Sequence, residues 1–91
     1  MEIKAFWQFN KALEQGPYAW PGGYPTYFLC RDGEALSFKA AQDNAGLIRD
    51  ALITNDRNSE WFVVAFDVNW EDTDLICSHT GEKIEFAYGN D

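Results

Sequence analysis

The hydrophobic pattern of the chain changes period from segment to segment, and each change marks an element. From Ile3 to Gln15 the side chains Ile3, Phe6, Trp7, Phe9, Asn10 and Leu13 recur at spacings of three and four. That spacing places them on one stripe of an amphipathic helix. Gly16-Pro17 ends the helix, because glycine caps a C-terminus and proline cannot continue one. Next comes a loop studded with rings, Gly16-Pro17-Tyr18-Ala19-Trp20-Pro21-Gly22-Gly23-Tyr24-Pro25. Thr26 to Arg31 is mostly apolar and reads as a short strand. The Asp32-Gly33 pair predicts a turn after it, with Ala35 to Phe38 pairing back as a hairpin arm.

A second helix is predicted from Phe38 to Thr54, with Ser37 as its N-cap, since a serine hydroxyl can accept from an unpaired first-turn N–H. Ala40, Ala41, Ala45, Leu47, Ile48, Ala51 and Leu52 outline its buried stripe, and Arg49 is expected to face solvent. Gly46 costs this helix about 1 kcal/mol relative to alanine. After the polar loop Asn55-Asp56-Arg57-Asn58-Ser59, Trp61 to Trp70 is nearly continuous in apolar residues and then alternates, as a central strand with one exposed end should. Glu71 to Asp74 is a turn, Leu75 to His79 a further strand, Thr80-Gly81-Glu82 another turn, and Ile84 to Tyr88 a last short element. Helix, hairpin, helix and meander in that order predict one α+β domain over residues 1–91. Its expected form is an antiparallel sheet of about four strands with two helices packed on one face.

Composition supports a packed core. Of the 91 residues 46% are hydrophobic and 16% aromatic, and each aromatic ring can bury about 150–250 Å². Disorder is excluded by the same richness in rings, and a core is feasible without a disulfide or cofactor. Two cysteines, Cys30 and Cys77, are too few for a secreted disulfide framework and are expected to be reduced and packed. No leader-like segment opens the chain, and no apolar run approaches the roughly 18 residues that span a bilayer. The default expectation is therefore the cytoplasm.

Charge changes the picture more. The net charge is −8, and residues 56–91 alone hold nine carboxylates against Arg57 and Lys83. Such a field repels nucleic acid and anionic membranes and steers towards a basic partner. Solubility is the bland alternative, since an acidic surface keeps a small protein dispersed.

Three segments invite chemistry, the first of them in two ways. Cys77-Ser78-His79-Thr80-Gly81-Glu82-Lys83-Ile84 has the frame of a zinc knuckle, but Thr80 stands where the second cysteine belongs. Cys77 and His79 remain as a degenerate set, joined by Cys30 if the strands are adjacent. A Cys77–His79 nucleophilic pair lacks an evident oxyanion site, and the acidic surroundings disfavour a thiolate. Asp67 to Asp74 resembles the start of a calcium loop, but Asp72 and Ser78 stand where glycine and glutamate are required. Tyr18, Trp20, Tyr24 and Tyr27 could form a stacking platform for a sugar or a proline-rich peptide, or could simply close the core under a long loop. No phosphate-binding glycine loop, dinucleotide fingerprint, nucleophile elbow or paired-histidine zinc motif is present, so an enzyme is the least expected class.

Taken together, the 16–25 loop, Asp32-Gly33-Glu34-Ala35-Leu36-Ser37-Phe38, Asn69-Trp70-Glu71-Asp72 and Cys77-x-His79-Thr80-Gly81 resemble a family of small acidic proteins carried by phages and prophages of proteobacteria. The resemblance covers nearly the whole chain but brings no site residues to carry over. It implies a setting in a bacterial host cell, where such accessory proteins often inhibit host machinery, anti-CRISPR proteins among them. The expectation is an acidic binding protein that occludes a basic, nucleic-acid-binding surface, a CRISPR effector being one such partner. Asp67, Glu71, Asp72, Asp74, Glu82 and Glu85 would imitate phosphate charge, and Trp70 would be the apolar anchor.

Overall fold

The computed structural model of the chain describes residues 1–87. Its elements are α1 (Phe6–Gln15), β1 (Tyr18–Ala19), β2 (Tyr24–Cys30), β3 (Ala35–Ser37), α2 (Phe38–Asp43), α3 (Ala45–Thr54) and β4 (Val63–Val68). The class is α+β with a four-stranded antiparallel sheet, as expected, but with three helices rather than two.

The sheet is built on β2. Phe28 stands opposite both Leu36 of β3 and Phe66 of β4, so these strands flank β2 on opposite edges. Because side chains alternate across a sheet, the three are carried to the same face. There Phe28 meets Phe9 of α1 at 5.3 Å between ring centroids, Phe66 at 4.8 Å and Phe38 of α2 at 6.0 Å. Phe28 and Phe9 are fully buried, which makes this cluster the centre of the core. Tilted and offset ring pairs of this kind add about 0.5–1.5 kcal/mol each beyond the area they bury.

The sheet reaches beyond its four strands. Ile3 N–H donates to Val64 C=O at 2.8 Å and Phe66 N–H to Met1 C=O at 2.8 Å, so residues 1–3 run along β4 as a short ribbon. Ile3 is therefore a sheet residue, and α1 starts three residues later than its apolar spacing suggests. The side chain of Gln8 caps that start, accepting from Lys4 N–H at 2.6 Å and Ala5 N–H at 3.0 Å. Phe9 and Ala12 form the buried side of α1, whereas Phe6 and Trp7 are exposed. On the far edge, Ser78 N–H donates to Ala35 C=O at 2.9 Å, and Ile76 pairs with Lys83. The meander expected there is present as single bridges, because its turns leave too few residues for full strands. The last predicted element runs to Tyr88, which lies outside the described residues.

The second predicted helix is divided at Asn44. Its amide Nδ2 donates back to Ala40 C=O at 2.8 Å, and its own C=O accepts from Leu47 and Ile48 N–H. An asparagine that bonds the backbone in this way competes with helix continuation. Ser37 caps α2 as expected, its hydroxyl accepting from Ala40 N–H at 3.1 Å. Two positions of α3 differ from the pattern. Leu47 is exposed, and Arg49 turns inward, its guanidinium 5.8 Å from the centre of the Phe9 ring and its Nε donating to Asn10 at 2.6 Å. A cation over a ring face gains about 0.5–2 kcal/mol, which explains why this arginine joins α3 to α1 instead of facing water.

Candidate functional site: an acidic and aromatic surface organised by Asn69

β4 ends at Val68, and Asn69, the next residue, shapes the turn beyond it. Asn69 is buried. Its N–H donates to Pro25 C=O at 2.9 Å, which fixes it to β2. Its side-chain amide donates to Asp72 C=O at 3.1 Å and to Glu85 C=O at 3.0 Å, while its Oδ1 accepts from Asp72 N–H at 3.2 Å. Rotating the amide by half a turn would set a donor against a donor and an acceptor against two acceptors, so one orientation satisfies all three bonds. Its C=O accepts from Ala87 N–H at 2.9 Å. One buried side chain thus ties the turn after β4 to the segment around Glu85.

The tie brings charge and rings together. Glu85 is hydrogen-bonded to the Tyr18 hydroxyl, and that bond, then its charge, pushes the Tyr18 phenol up from its ordinary value. Tyr27 is pushed up too, first by burial and then by the charges of Asp67 and Asp72. Trp70 packs on Tyr24 at 4.6 Å between centroids and remains 42% exposed. Asp72 Oδ1 accepts from Asp74 N–H at 2.9 Å, and Asp67 Oδ1 from Val68 N–H at 2.8 Å, so both carboxylates brace the backbone that carries them. Of the residues singled out from sequence, Asp72 and Glu85 are joined through Asn69 and Asp67 and Asp72 both act on Tyr27, while Trp70, Glu71 and Asp74 lie in the same turn as Asp72, exposed. Glu82 is set apart, lining a cleft with Ser37, Lys39, His79 and Lys83.

A second acidic group lies at the other end of β4, where Asp32, Glu34 and Glu60 line a cleft of about 150 Å³ with Trp61 and His79. Six residues of strand separate the two groups, about 20 Å at roughly 3.3 Å per residue. Eight of the fifteen carboxylates thus fall into two groups, each beside a tryptophan. Sequence spacing could not find the second patch, since Asp32 and Glu60 meet only through the pairing of β2 with β4.

The cysteine readings resolve differently. Both thiols are buried. Burial, helped by Asp32 and Glu34, pushes the Cys30 thiol up to about 12. Burial also acts upward on Cys77, but hydrogen bonds from the backbone and hydroxyl groups of Ser37 and Thr80 outweigh it and lower this thiol to about 7. The expected disfavouring of a thiolate thus fails at Cys77, because local donors outweigh distant carboxylates. His79 takes no part: it is exposed, with its ring edge-on to Trp61 at 5.1 Å. Among the described residues no group of three or more His, Cys, Asp or Glu side chains is arranged to hold a metal ion. A degenerate knuckle of Cys30, Cys77 and His79 is therefore not assembled.

The aromatic loop splits between its two readings. Tyr27 is half-buried and packs against the core, Tyr24 is half-buried against Trp70, and Trp20, after which the peptide to Pro21 is cis, is 77% exposed. β1 pairs Tyr18 with Pro25 and Ala19 with Tyr24, so the loop is itself a small hairpin. No helix among the described residues is long and apolar enough to cross a membrane.

Compared with protein-family models, with curated proteins and with solved structures, the chain has no significant match. The chemistry of the surface is what remains to indicate function.

Proposed function

We propose that this chain is a stoichiometric binding protein whose Asn69-organised surface docks on a basic, nucleic-acid-binding face of a partner protein. The observation that carries the reading is the tie from Asn69 to Asp72 and Glu85. It braces the turn that carries Glu71, Asp72, Asp74 and Trp70, the last packed on Tyr24 of β2, before any partner arrives. Binding then loses little conformational entropy at the interface, which is where affinity is usually lost. Asp67, Glu71, Asp72, Asp74 and Glu85 present the charge that a phosphate-selecting surface attracts, and Trp70 offers an apolar anchor of the kind favoured at interface centres. The motif resemblance makes a bacterial nucleic-acid-handling protein, a CRISPR effector first among them, the partner to test.

The test is capture of the partner from bacterial lysate, eluted in steps of rising salt, with the double variant Asp72→Asn/Asp74→Asn beside the parent chain. Asparagine keeps the Asp72 acceptor that braces the turn and removes only charge. The variant should release the partner at lower salt and show a flatter salt dependence. Equal affinity and equal salt dependence would refute charge imitation. A second reading is favoured by the exposure of Trp20: the 16–25 hairpin stacks on a sugar or proline-rich peptide. On that reading Trp20→Ala abolishes ligand binding and leaves the thermal transition unchanged, and retained binding rules the hairpin out.

A further inference from the structure

Three of the seven cations of this chain line one cleft, away from the Asn69 surface. Lys4 comes from the N-terminal ribbon, Arg31 from the end of β2 and Arg57 from the turn after α3, and with Asn55 they surround a space of about 410 Å³. Ile3, Phe62 and Val64 supply its apolar lining. The backbone there is fixed by Arg31 N–H donating to Phe62 C=O at 2.9 Å and Ile3 N–H to Val64 C=O at 2.8 Å. The ribbon carrying Lys4 and the end of β2 carrying Arg31 are thus both fixed to the chain at Phe62–Val64.

The charge of this cleft runs against that of the molecule. Its one acidic lining residue is Glu2, 3.8 Å from Lys4 with both side chains well exposed. Elsewhere Lys39 pairs with Asp43 at 3.1 Å and Arg49 is bonded to Asn10. Among the described residues, the Arg31 and Arg57 guanidinium groups have no hydrogen-bond or ion-pair partner. In a chain with fifteen carboxylates, two unmatched arginines and a lysine gathered at one cleft repel each other, and an anion would relieve that repulsion.

We propose that this cleft binds a small phosphate monoester with an apolar body. Counting Glu2, the lining carries two net positive charges, which suits a dianion better than a single carboxylate. Two guanidinium forks match the oxygens of a phosphate, and the lysine adds a point charge. Ile3, Phe62 and Val64 offer the ester group a surface to leave water. The volume falls within the range of small-molecule sites, roughly 300–1,000 Å³. Nothing in this assignment depends on the Asn69 surface.

The experiment is a titration of the isotope-labelled full chain, followed by amide NMR at low ionic strength, with phenyl phosphate, inorganic phosphate and phenol as separate probes. Phenyl phosphate should shift the amides of Arg31, Asn55, Arg57 and Phe62 saturably; inorganic phosphate should bind the same place more weakly, and phenol should leave it unmoved. Arg31→Gln should weaken phenyl phosphate by about tenfold or more, the loss of a charge-assisted bond. Glu2→Gln should strengthen it, and this exposed substitution carries the test if Arg31→Gln does not fold. The assignment is overturned if phenyl phosphate gives no saturable shift at these amides, if phenol shifts them as well, or if folded variants at Arg31 and Glu2 bind like the parent.

Discussion

Replacing Asn69 by alanine tests the link from sequence to surface without altering a single charge. The substitution removes three hydrogen bonds, two donated to Asp72 and Glu85 carbonyls and one accepted from Asp72 N–H. At about 1 kcal/mol net for each such bond, the loss is roughly 3 kcal/mol. A domain of this size has about 5–15 kcal/mol in hand, so the variant stays folded at room temperature. With a urea slope of roughly 1–3 kcal/mol per molar, the midpoint should fall by about 1–3 M, read by tryptophan fluorescence. Asn69→Asp sharpens the test. It sets a carboxylate against two carbonyls and near Asp72 and Glu85, so its folded pKa lies above the ordinary aspartate value of about 3.9. A group raised on folding supports the fold below its unfolded pKa and loses that support as pH rises through the folded one. The cost of Asn69→Asp relative to the parent should therefore grow as pH rises above about 4. In both variants partner binding should weaken, because the carboxylates remain but their spacing is lost. An Asn69→Ala midpoint indistinguishable from the parent would refute the claim that this side chain organises the turn.

Other perturbations probe the same structure at different points. Cys77 should titrate near 7, followed by ultraviolet thiolate absorbance in a Cys30→Ser background, and Ser37→Ala should raise it. Because folding lowers this pKa from its ordinary 9.0, stability should rise with pH between those values and be lost as pH falls through about 7; a flat profile there would contradict the hydrogen bonding described. Gly22→Ala should destabilise by about 1–3 kcal/mol and lower the melting temperature by roughly 5–15 °C. Gly22 has φ +112°, and an added Cβ would stand 2.6 Å from the Tyr24 ring that packs on Trp70. A melting temperature unchanged in that variant would show that the ring pair can shift at no cost.

The parts legible in the sequence are those fixed by local chemistry. Ser37 caps a helix because its hydroxyl reaches an N–H three residues on, and the Asp32-Gly33 turn closes a hairpin. The run from Trp61 to Trp70 does hold a strand, Val63–Val68, but the central strand is β2; β4 flanks it and is bridged on its other edge by the N-terminal ribbon. Both tryptophans leave the ladder because each has a ring to meet, His79 for Trp61 and Tyr24 for Trp70. The parts not legible depend on partners distant in the chain. Arg49 reads as solvent-facing until Phe9 and Asn10 of α1 are placed beside it. Asn69 is the clearest case. An asparagine between a strand and an acidic turn signals a loop residue, and its third partner, Glu85, is sixteen residues away.

Solubility and recognition make different demands on an acidic surface, and that difference bears on what the carboxylates are for. Solubility needs charge but no order, and it is served best by carboxylates spread apart, where mutual repulsion costs least. Around Asn69 the arrangement runs the other way. Asp67 and Asp72 are close enough to act together on the Tyr27 phenol, and Glu85 engages Tyr18 directly. The turn that carries Asp72 is fixed by a buried amide with three bonds, to the backbone of Asp72 and of Glu85. A surface that served solubility alone would lose nothing by relaxing the turn and separating the charges. Fixed charge beside partly exposed rings is instead what a preorganised interface requires, with steering from the carboxylates and anchoring from Trp70. The bracing of that turn is the physical reason for proposing this end of the sheet as a recognition surface.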